Sequence, residues 1–226
     1  MIKLPKFTSQ SMYDSETDFN LQMDKERLSK FLIHYEVFKK IRNVKGSIVE
    51  CGIFKGTSFV RLAMFRELFK KKSKLVGFDI YGDIYPNTSF ENEKKHREHW
   101  IKSAGHSSIS KKQLEWIFKK KKIKNYELVK GDVLKTIPNY VEKNKKLKIS
   151  LLNIDLAFVE PTKCALDYFY SKMSKGGVIL FDNYSGTGKD GTFYAGETKV
   201  IKQFLKKTKK KIFQSNFYVR PAYIIK

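Results

Sequence analysis

Several features that define other protein classes are scarce in this chain of 226 residues. It has two cysteines, Cys51 and Cys164, and neither belongs to a pair with metal-ligand spacing. This scarcity excludes a disulfide scaffold, a zinc finger and redox CxxC chemistry. No uncharged apolar run approaches the roughly 20 residues that cross a bilayer, and the first residues lack the apolar centre of a signal peptide. We therefore expect a soluble, cytoplasmic protein without a membrane partner.

Acidic residues are scarce relative to basic ones, because 46 Lys and Arg face 23 Asp and Glu, for a net charge of +23. Such an excess suggests polyanionic partners. However, the densest lysine runs, at 70–72, 119–122 and 206–211, each follow an amphipathic stretch, where cations complement the negative end of a helix dipole. No strand interleaves aromatic and basic residues as an RNA-recognition sheet does. We interpret the excess as solvated lysines and do not expect a nucleic-acid partner.

The apolar content is high enough for a dense core, since 41% of the residues are hydrophobic and 14% aromatic. Short apolar runs that predict strands alternate with stretches of helical period. The predicted strands are 47–51, 75–80, 126–129, 149–156 and 177–181. This alternation predicts a doubly wound, mostly parallel α/β sheet. Two β-rich segments at the end, 212–219 and 221–225, are joined too tightly for a helical crossover and predict an antiparallel hairpin at the sheet edge.

We interpret residues 1–226 as one domain with two additions. The first is an N-terminal helical extension, residues 1–45. Within it, apolar residues recur at helical spacing: Leu28, Phe31, Leu32, Tyr35 and Phe38. The second is an insertion, residues 81–109, which is too long for an ordinary loop and follows the carboxyl end of a parallel strand. We expect it to form a lid over a ligand, and the Ser110–Gln113 capping box to open the next helix.

A glycine-containing turn between the first predicted strand and the next helix predicts a ligand site. Gly52 and Gly56 bracket this turn, and Thr57 and Ser58 open the helix, whose N–H groups can receive a carboxylate or phosphate. A dinucleotide fingerprint needs a glycine where Phe54 stands, so NAD is disfavoured. Taken alone, the turn is equally compatible with a purely structural role.

Acidic residues recur at the carboxyl ends of successive predicted strands. Because these ends converge at one edge of a parallel sheet, and a buried unpaired carboxylate is costly, the set indicates ligand or metal contacts. The members are Glu50, Asp79, Asp132, Asp155 and Asp182.

Segments in a defined order give a more specific indication. VECGIFKGTS, GFDIYGDIYP, VKGDVLKTIP, LLNIDLAFVEPTKCAL, GGVILFDNY and GETKVIKQFL follow one another along the chain. This order resembles the class I S-adenosylmethionine-dependent methyltransferases, and within them the macrocin O-methyltransferase (TylF-like) family of sugar O-methyltransferases. The resemblance implies a Rossmann-like fold with a seven-stranded sheet.

It also implies S-adenosylmethionine as cofactor. Glu50 and the turn from Gly52 to Gly56, with Thr57 and Ser58, then match the methionine end. Asp79 matches the ribose hydroxyls and Asp132 the adenine amino group. Ser107, beside Ser108, would close over the adenine, although a plain helix-entry role fits these serines equally well.

The reaction that the resemblance implies is methyl transfer to a hydroxyl, assisted by a carboxylate-bound Mg2+. Asp155 and Asp182 match the family's metal-binding strand ends, and Asp155 is the candidate general base. The third ligand, normally an aspartate, is Asn183 here, and the usual aspartate two residues after Asp155 is Ala157. Carboxylate is the preferred ligand of Mg2+, so metal affinity should be weaker. His96, His99 and His106 of the lid are further candidate bases.

The predicted partner is a small hydroxylated substrate, a sugar or a sugar nucleotide whose phosphate would meet Arg220, Lys189 or lid lysines. The family resemblance also implies a homo-oligomer, and we expect its contact among the exposed aromatic residues of 1–38. Two alternatives stay open at this stage. One is an RNA-directed methyltransferase that uses the basic surface, and the other is a cofactor-binding homologue without catalysis. A nucleotide-sugar reductase would require NAD(P) and is disfavoured by Phe54.

Overall fold

The computed structural model describes residues 2–82, 85–86, 88–105, 108–185, 195–214 and 220–226. Helices and strands alternate through most of this part of the chain. The helices are α1 Ser9–Gln22, α2 Lys25–Ile41, α3 Thr57–Leu68, α4 Glu91–Ala104, α5 Lys111–Lys120, α6 Val133–Lys143, α7 Val159–Phe169 and α8 Ala195–Thr208. The strands are β1 Ser47–Cys51, β2 Leu75–Asp79, β3 Tyr126–Lys130, β4 Ile149–Ile154, β5 Met173–Phe181, β6 Phe213–Gln214 and β7 Ala222–Ile225.

These strands form one seven-stranded sheet in the order β3-β2-β1-β4-β5-β7-β6. The first five are parallel, and the pairing direction changes at β7, which runs antiparallel to both β5 and β6. The order reverses at β1, which lies between β2 and β4. In open α/β sheets, ligands bind at the carboxyl ends of the strands beside such a reversal. The predicted fold class is confirmed.

Two apolar layers cover the sheet, one on each face. On one face, residues of α2, α3 and α5 pack on the sheet around Phe38, Phe59 and Phe118. On the other, residues of α6, α7 and α8 pack around Phe78 and Phe169. The central strands read as continuous apolar runs rather than alternating ones because both of their faces are buried.

The N-terminal extension contains two helices. The α1 helix buries none of its residues. The α2 helix packs on the sheet, but through a different face from the predicted one, since Leu28, Phe31 and Tyr35 are exposed. Its buried residues are Ser29, Ile33, His34, Val37, Phe38 and Ile41. The sequence pattern therefore indicated the helix correctly and its orientation only in part.

The segment 81–109 contains α4, and α5 follows from the predicted capping box. Ser110 Oγ accepts a hydrogen bond from Gln113 N at 3.2 Å, and Gln113 Oε1 accepts one from Ser110 N at 3.1 Å. Of the predicted C-terminal hairpin, the structure describes β6, which pairs antiparallel with β7, and residues 215–219 lie outside the described part. No helix among the described residues is long and apolar enough to span a membrane.

Candidate active site

The turn between β1 and α3 lies against the end of β4. Gly52 has φ +90°, and a Cβ built there would lie 2.0 Å from the Asp155 carbonyl oxygen. A side chain at this position would therefore force the two backbones apart. Gly56 has φ +86° and precedes Thr57 at the start of α3, where it offers no side chain to cap the helix. The first N–H groups of α3 thus lie at the turn, as an anion site requires.

Glu50 is fully buried at the end of β1, beside this turn. The Ser58 hydroxyl donates a short hydrogen bond to Glu50 Oε1, while Oε2 has no hydrogen-bond partner among the described residues. Burial raises the pKa of Glu50 to about 8. A buried carboxyl oxygen without a partner suits a cationic ligand group. Thr57, in contrast, is exposed.

Asp79 fastens the turn to the end of β2. Its Oδ2 accepts hydrogen bonds from Ile53 N at 2.7 Å and Phe54 N at 3.0 Å, and its Oδ1 accepts one from Tyr81 N at 3.0 Å. A carboxylate has roughly four acceptor positions, so the backbone leaves one for a ribose hydroxyl rather than the two that the sequence prediction assumed.

Asp132, another predicted cofactor residue, follows β3, the strand beside β2. Asp132 is half-buried and caps α6, with Oδ1 accepting from Leu134 N at 2.9 Å. Ser108 Oγ accepts from Gly82 N at 2.8 Å, which ties the start of the 81–109 segment to its end. Ser107, like His106 and Lys189, lies outside the described residues.

Aromatic side chains of the 81–109 segment pack on the glycine-containing turn. The ring of Trp100 lies 4.9 Å from that of Phe54 and 4.8 Å from that of Tyr85, measured between centroids. Ile109 N also donates to Phe54 O at 2.6 Å. The predicted lid thus contacts the turn through side chain and backbone.

Two carboxylates and two basic groups meet at the ends of β4 and β5. Lys30 Nζ of α2 lies 2.5 Å from Asp182 Oδ2 and 3.7 Å from Asp155 Oδ2. One helical turn later, His34 Nε2 lies 3.8 Å from Asp182 Oδ1, beyond hydrogen-bond distance. Arg61 Nη1 lies 3.5 Å from His34 Nδ1 on the far side of that ring.

These contacts shift the pKa values of the two aspartates in opposite directions. Burial and the negative charge of Asp182 raise the pKa of Asp155 to about 7. Burial also opposes ionisation of Asp182, but the Lys30 ammonium holds the pKa of that carboxyl below its ordinary value. Burial lowers the pKa of His34 to about 4, so the ring is neutral at neutral pH. Asp182 is therefore a fixed anion, and Asp155 is poised to exchange a proton near pH 7.

A hydrogen-bonded chain supports Asp155 from the other side. Asn183 Nδ2 donates to Asp155 Oδ1 at 2.9 Å and lies 3.3 Å from Glu197 Oε2. Glu197 also accepts from Ala157 N at 2.9 Å, and burial followed by the charge of Asp155 raises the pKa of Glu197 to about 8. Ala157, where the sequence resemblance implies an aspartate, has a left-handed backbone with φ +62°. Strained residues of this kind concentrate at functional sites.

The residues expected to bind Mg2+ do not fit a divalent cation as they are arranged. The Lys30 ammonium already lies against Asp155 and Asp182. Asn183 directs its amide nitrogen, rather than an oxygen ligand, at two carboxylates. Among the residues that the structure describes, no group of three His, Cys, Asp or Glu side chains is arranged to hold a metal. Mg2+ use stays a prediction, and this donor set does not support it.

The sequence interpretation missed Lys30, His34, Glu197 and a fourth residue, Glu93 of α4. Glu93 is buried and accepts hydrogen bonds from Val159 N at 2.8 Å and from the Thr88 hydroxyl at 2.7 Å. A detectable signal existed for the first pair, because Lys30 and His34 lie four residues apart and so share one helix face.

Two other predicted residues have partners in the fold. His96 lies beside Phe158, with ring centroids 5.5 Å apart. The Arg220 guanidinium donates a short hydrogen bond to Glu26 of α2, so this arginine helps to hold the N-terminal extension.

Comparison with known proteins identifies the family of this chain and its fold. The sequence model described as macrocin-O-methyltransferase (TylF) matches residues 21–207. The calicheamicin methyltransferase CalS11 is 19% identical over 97% of this chain and 87% of its own, with a TM-score of 0.70. A structure of apo CalS11, there called TDP-rhamnose 3'-O-methyltransferase, is 20% identical over 97% and 87%, with a TM-score of 0.66.

The O-methyltransferase NovP is 14% identical over 88% of this chain and 79% of its own, with a TM-score of 0.71. At these identities the structural likeness establishes the fold alone. No curated protein sequence matches significantly. The family match covers most of the chain, and with it the turn after β1 and the acidic strand ends. The chain belongs to the macrocin-O-methyltransferase (TylF) family of S-adenosylmethionine-dependent methyltransferases.

Proposed function

We propose that this protein transfers the methyl group of S-adenosylmethionine to a hydroxyl of a sugar or sugar-containing metabolite. The observation that carries the proposal is the position of Asp155. Its backbone touches Gly52 in the turn between β1 and α3, which we call the cofactor turn. Its carboxylate is about a quarter exposed and has a pKa near 7. A base with this pKa, next to the methyl donor, suits deprotonation of a hydroxyl at neutral pH.

The reaction is an in-line displacement. The acceptor oxygen attacks the sulfonium methyl carbon, the carbon–sulfur bond breaks, and S-adenosylhomocysteine leaves. The hydroxyl proton passes to Asp155, which Asn183 holds in place at 2.9 Å. The proposal contains no Mg2+ step, because Asp155, Asp182 and Asn183 as arranged do not fit the ion.

The cofactor contacts that we propose follow the strand ends. The methionine ammonium favours the ionised form of Glu50, whose Oε2 accepts from it, and the N–H groups before Ser58 receive the methionine carboxylate. The open acceptor position of Asp79 takes one ribose hydroxyl, and Asp132, which follows the strand next to β2, accepts from the adenine amino group.

For the acceptor we propose a sugar nucleotide, such as TDP-rhamnose, the substrate for which CalS11 is named. A basic protein is suited to its diphosphate. Arg220 contributes less than the sequence suggested, since it contacts Glu26.

An RNA acceptor is less well supported by the distribution of the lysines. A cavity of about 1080 Å³ at the amino ends of the strands is lined by basic residues that include Lys45, Lys71 and Lys148. The cofactor turn lies at the opposite, carboxyl ends of these strands. RNA bound by this cavity would therefore be held away from the methyl donor.

The test is transfer of an isotopically labelled methyl group to TDP-rhamnose, other nucleotide sugars and bulk RNA, each analysed by mass spectrometry. We expect labelled product from a nucleotide sugar and its loss in Asp155→Ala, while S-adenosylmethionine binding, measured by calorimetry, is retained. Asp167→Asn, an exposed aspartate of α7 paired with Lys163, is the matched control. Labelled RNA would replace the proposal with the first alternative. Cofactor binding without transfer to any acceptor would favour a binding-only homologue.

A further inference from the structure

The Lys30 ammonium lies where two acidic strand ends converge. It is 2.5 Å from Asp182 Oδ2 and 3.7 Å from Asp155 Oδ2. The Lys30 side chain is 21% exposed, and that of Asp182 is 4% exposed. This ion pair is therefore shielded from most of the solvent that weakens surface pairs.

The position of Lys30 follows from the packing of α2. Ile33, Val37, Phe38 and Ile41 bury one face of this helix against the sheet. Side chains four residues apart share a helix face, so Lys30 lies one turn before the buried His34, and both reach the same carboxylate. The core thus fixes the ammonium at the site.

A divalent cation between these carboxylates would meet this ammonium directly. Asp182 Oδ2 already accepts a charge-assisted hydrogen bond from Lys30, and the remaining amide ligand, Asn183, donates to Asp155 instead of offering an oxygen. Two like charges on one carboxylate repel strongly in a site of low dielectric. The ammonium and a divalent cation are therefore alternatives.

We propose that Lys30 is a built-in cation that takes the place of a divalent metal in this active site. It fixes the Asp182 anion and orients Asp155, the proposed base. Lys30 is a positioning residue, and its role deepens the proposed function and rests on it. A family member with this arrangement needs no added metal.

The cation part of the proposal is tested without any acceptor, by electron paramagnetic resonance of Mn2+ added to the full chain. The wild type should leave the free Mn2+ signal unchanged at millimolar metal. Lys30→Met removes the ammonium and keeps a chain of similar length, so it should gain Mn2+ binding. Lys30→Met combined with Asn183→Asp adds a third carboxylate and should bind more tightly. Lys30→Arg and Lys25→Met, an exposed lysine of the same helix, should behave like the wild type.

Wild-type Mn2+ binding that is lost in Asp182→Asn would overturn the proposal. The proposal would also be overturned if neither Lys30→Met variant bound Mn2+ although circular dichroism and thermal unfolding showed both to be folded. Removal of the Lys30 ammonium would then not have opened a cation position. Once an acceptor is identified, the wild-type rate of methyl transfer should be the same in the presence of excess chelator as in the presence of added Mg2+. Failure to find an acceptor would contradict the proposed function and leave the Mn2+ result unaffected.

Discussion

Asp79 Oδ2 accepts a hydrogen bond of 2.7 Å from the backbone N–H of Ile53, which joins the end of β2 to the turn that follows β1. Phe54 N donates to the same oxygen at 3.0 Å. Phe54 has φ +49°, a left-handed conformation that is unfavourable for a bulky residue. The carboxylate therefore holds the cofactor turn in a shape that its sequence does not favour.

We expect Asp79→Asn to weaken S-adenosylmethionine binding by at least about tenfold, because each hydrogen bond to a charged group contributes about 1.5–3 kcal/mol. An amide has one oxygen, so at least one backbone N–H that Asp79 now binds would face an NH2 group. Calorimetric titration measures the change, and Asp167→Asn is the control for the loss of one surface carboxylate. Unchanged affinity in Asp79→Asn would mean that the turn keeps its shape without this acceptor.

Much of the fold could be predicted from local signals in the sequence. The β1 strand has the predicted bounds, because the apolar run 47–51 ends at Gly52. The order of the strand ends along the sheet also brings the five predicted acidic residues to one edge, from Asp132 after β3 to Asp182 after β5. Each of these signals lies within a few residues of the feature that it predicts.

The contacts that decide the chemistry depend on distant residues and could not be predicted in this way. Lys30 and its partner Asp182 are separated by 152 positions. The backbone donors that occupy Asp79 carry no side-chain signal at all. The apolar period of α2 suggested the wrong face because Phe31 and Tyr35 pack at their edges on Phe65 while remaining partly exposed.

Glu50 should make stability depend on pH. Burial raises the pKa of this carboxyl from 4.5 to about 8 in the folded state. Between these values the folded chain holds a proton that the unfolded chain has lost, so stability falls as pH rises from about 4.5 to 8 and this contribution is constant above. The decrease attributable to Glu50 is up to about 5 kcal/mol.

The measurement is the free energy of unfolding by urea at several pH values for the wild type and Glu50→Gln. The variant should lose less stability than the wild type as pH rises. His34 makes an opposite contribution, because its lowered pKa destabilises the fold at acidic pH, but this contribution is the same in both proteins and cancels when their free energies of unfolding are subtracted. Glu142→Gln, an exposed position on α6, should follow the wild type. Parallel profiles for the wild type and Glu50→Gln would contradict a buried, protonated Glu50.

Trp100 should report cofactor binding through its fluorescence. Its ring packs on Phe54, within the proposed cofactor turn, whereas the chain's other tryptophan, Trp116, packs on Phe7 at a centroid distance of 5.4 Å. We expect S-adenosylmethionine to change the emission of Trp116→Phe, which retains Trp100, and to leave the emission of Trp100→Phe unchanged. A response from Trp116 alone would contradict a lid that covers the cofactor through Trp100.

Self-association should involve the N-terminal extension. The α1 helix buries none of its residues, and its apolar side chains include Tyr13, 69% exposed, and Leu21, 80% exposed. Leu28 and Phe31 of α2 are exposed as well, and apolar side chains left exposed in this way favour contact with a second copy in a symmetric dimer. We expect sedimentation velocity to show a dimer for the full chain and a monomer for Leu21→Glu. Leu68→Glu introduces the same charge at a leucine that is 72% exposed at the end of α3, and it should stay dimeric. A monomeric wild type would contradict this prediction. Dissociation of the dimer by Leu68→Glu but not by Leu21→Glu would place the interface away from α1.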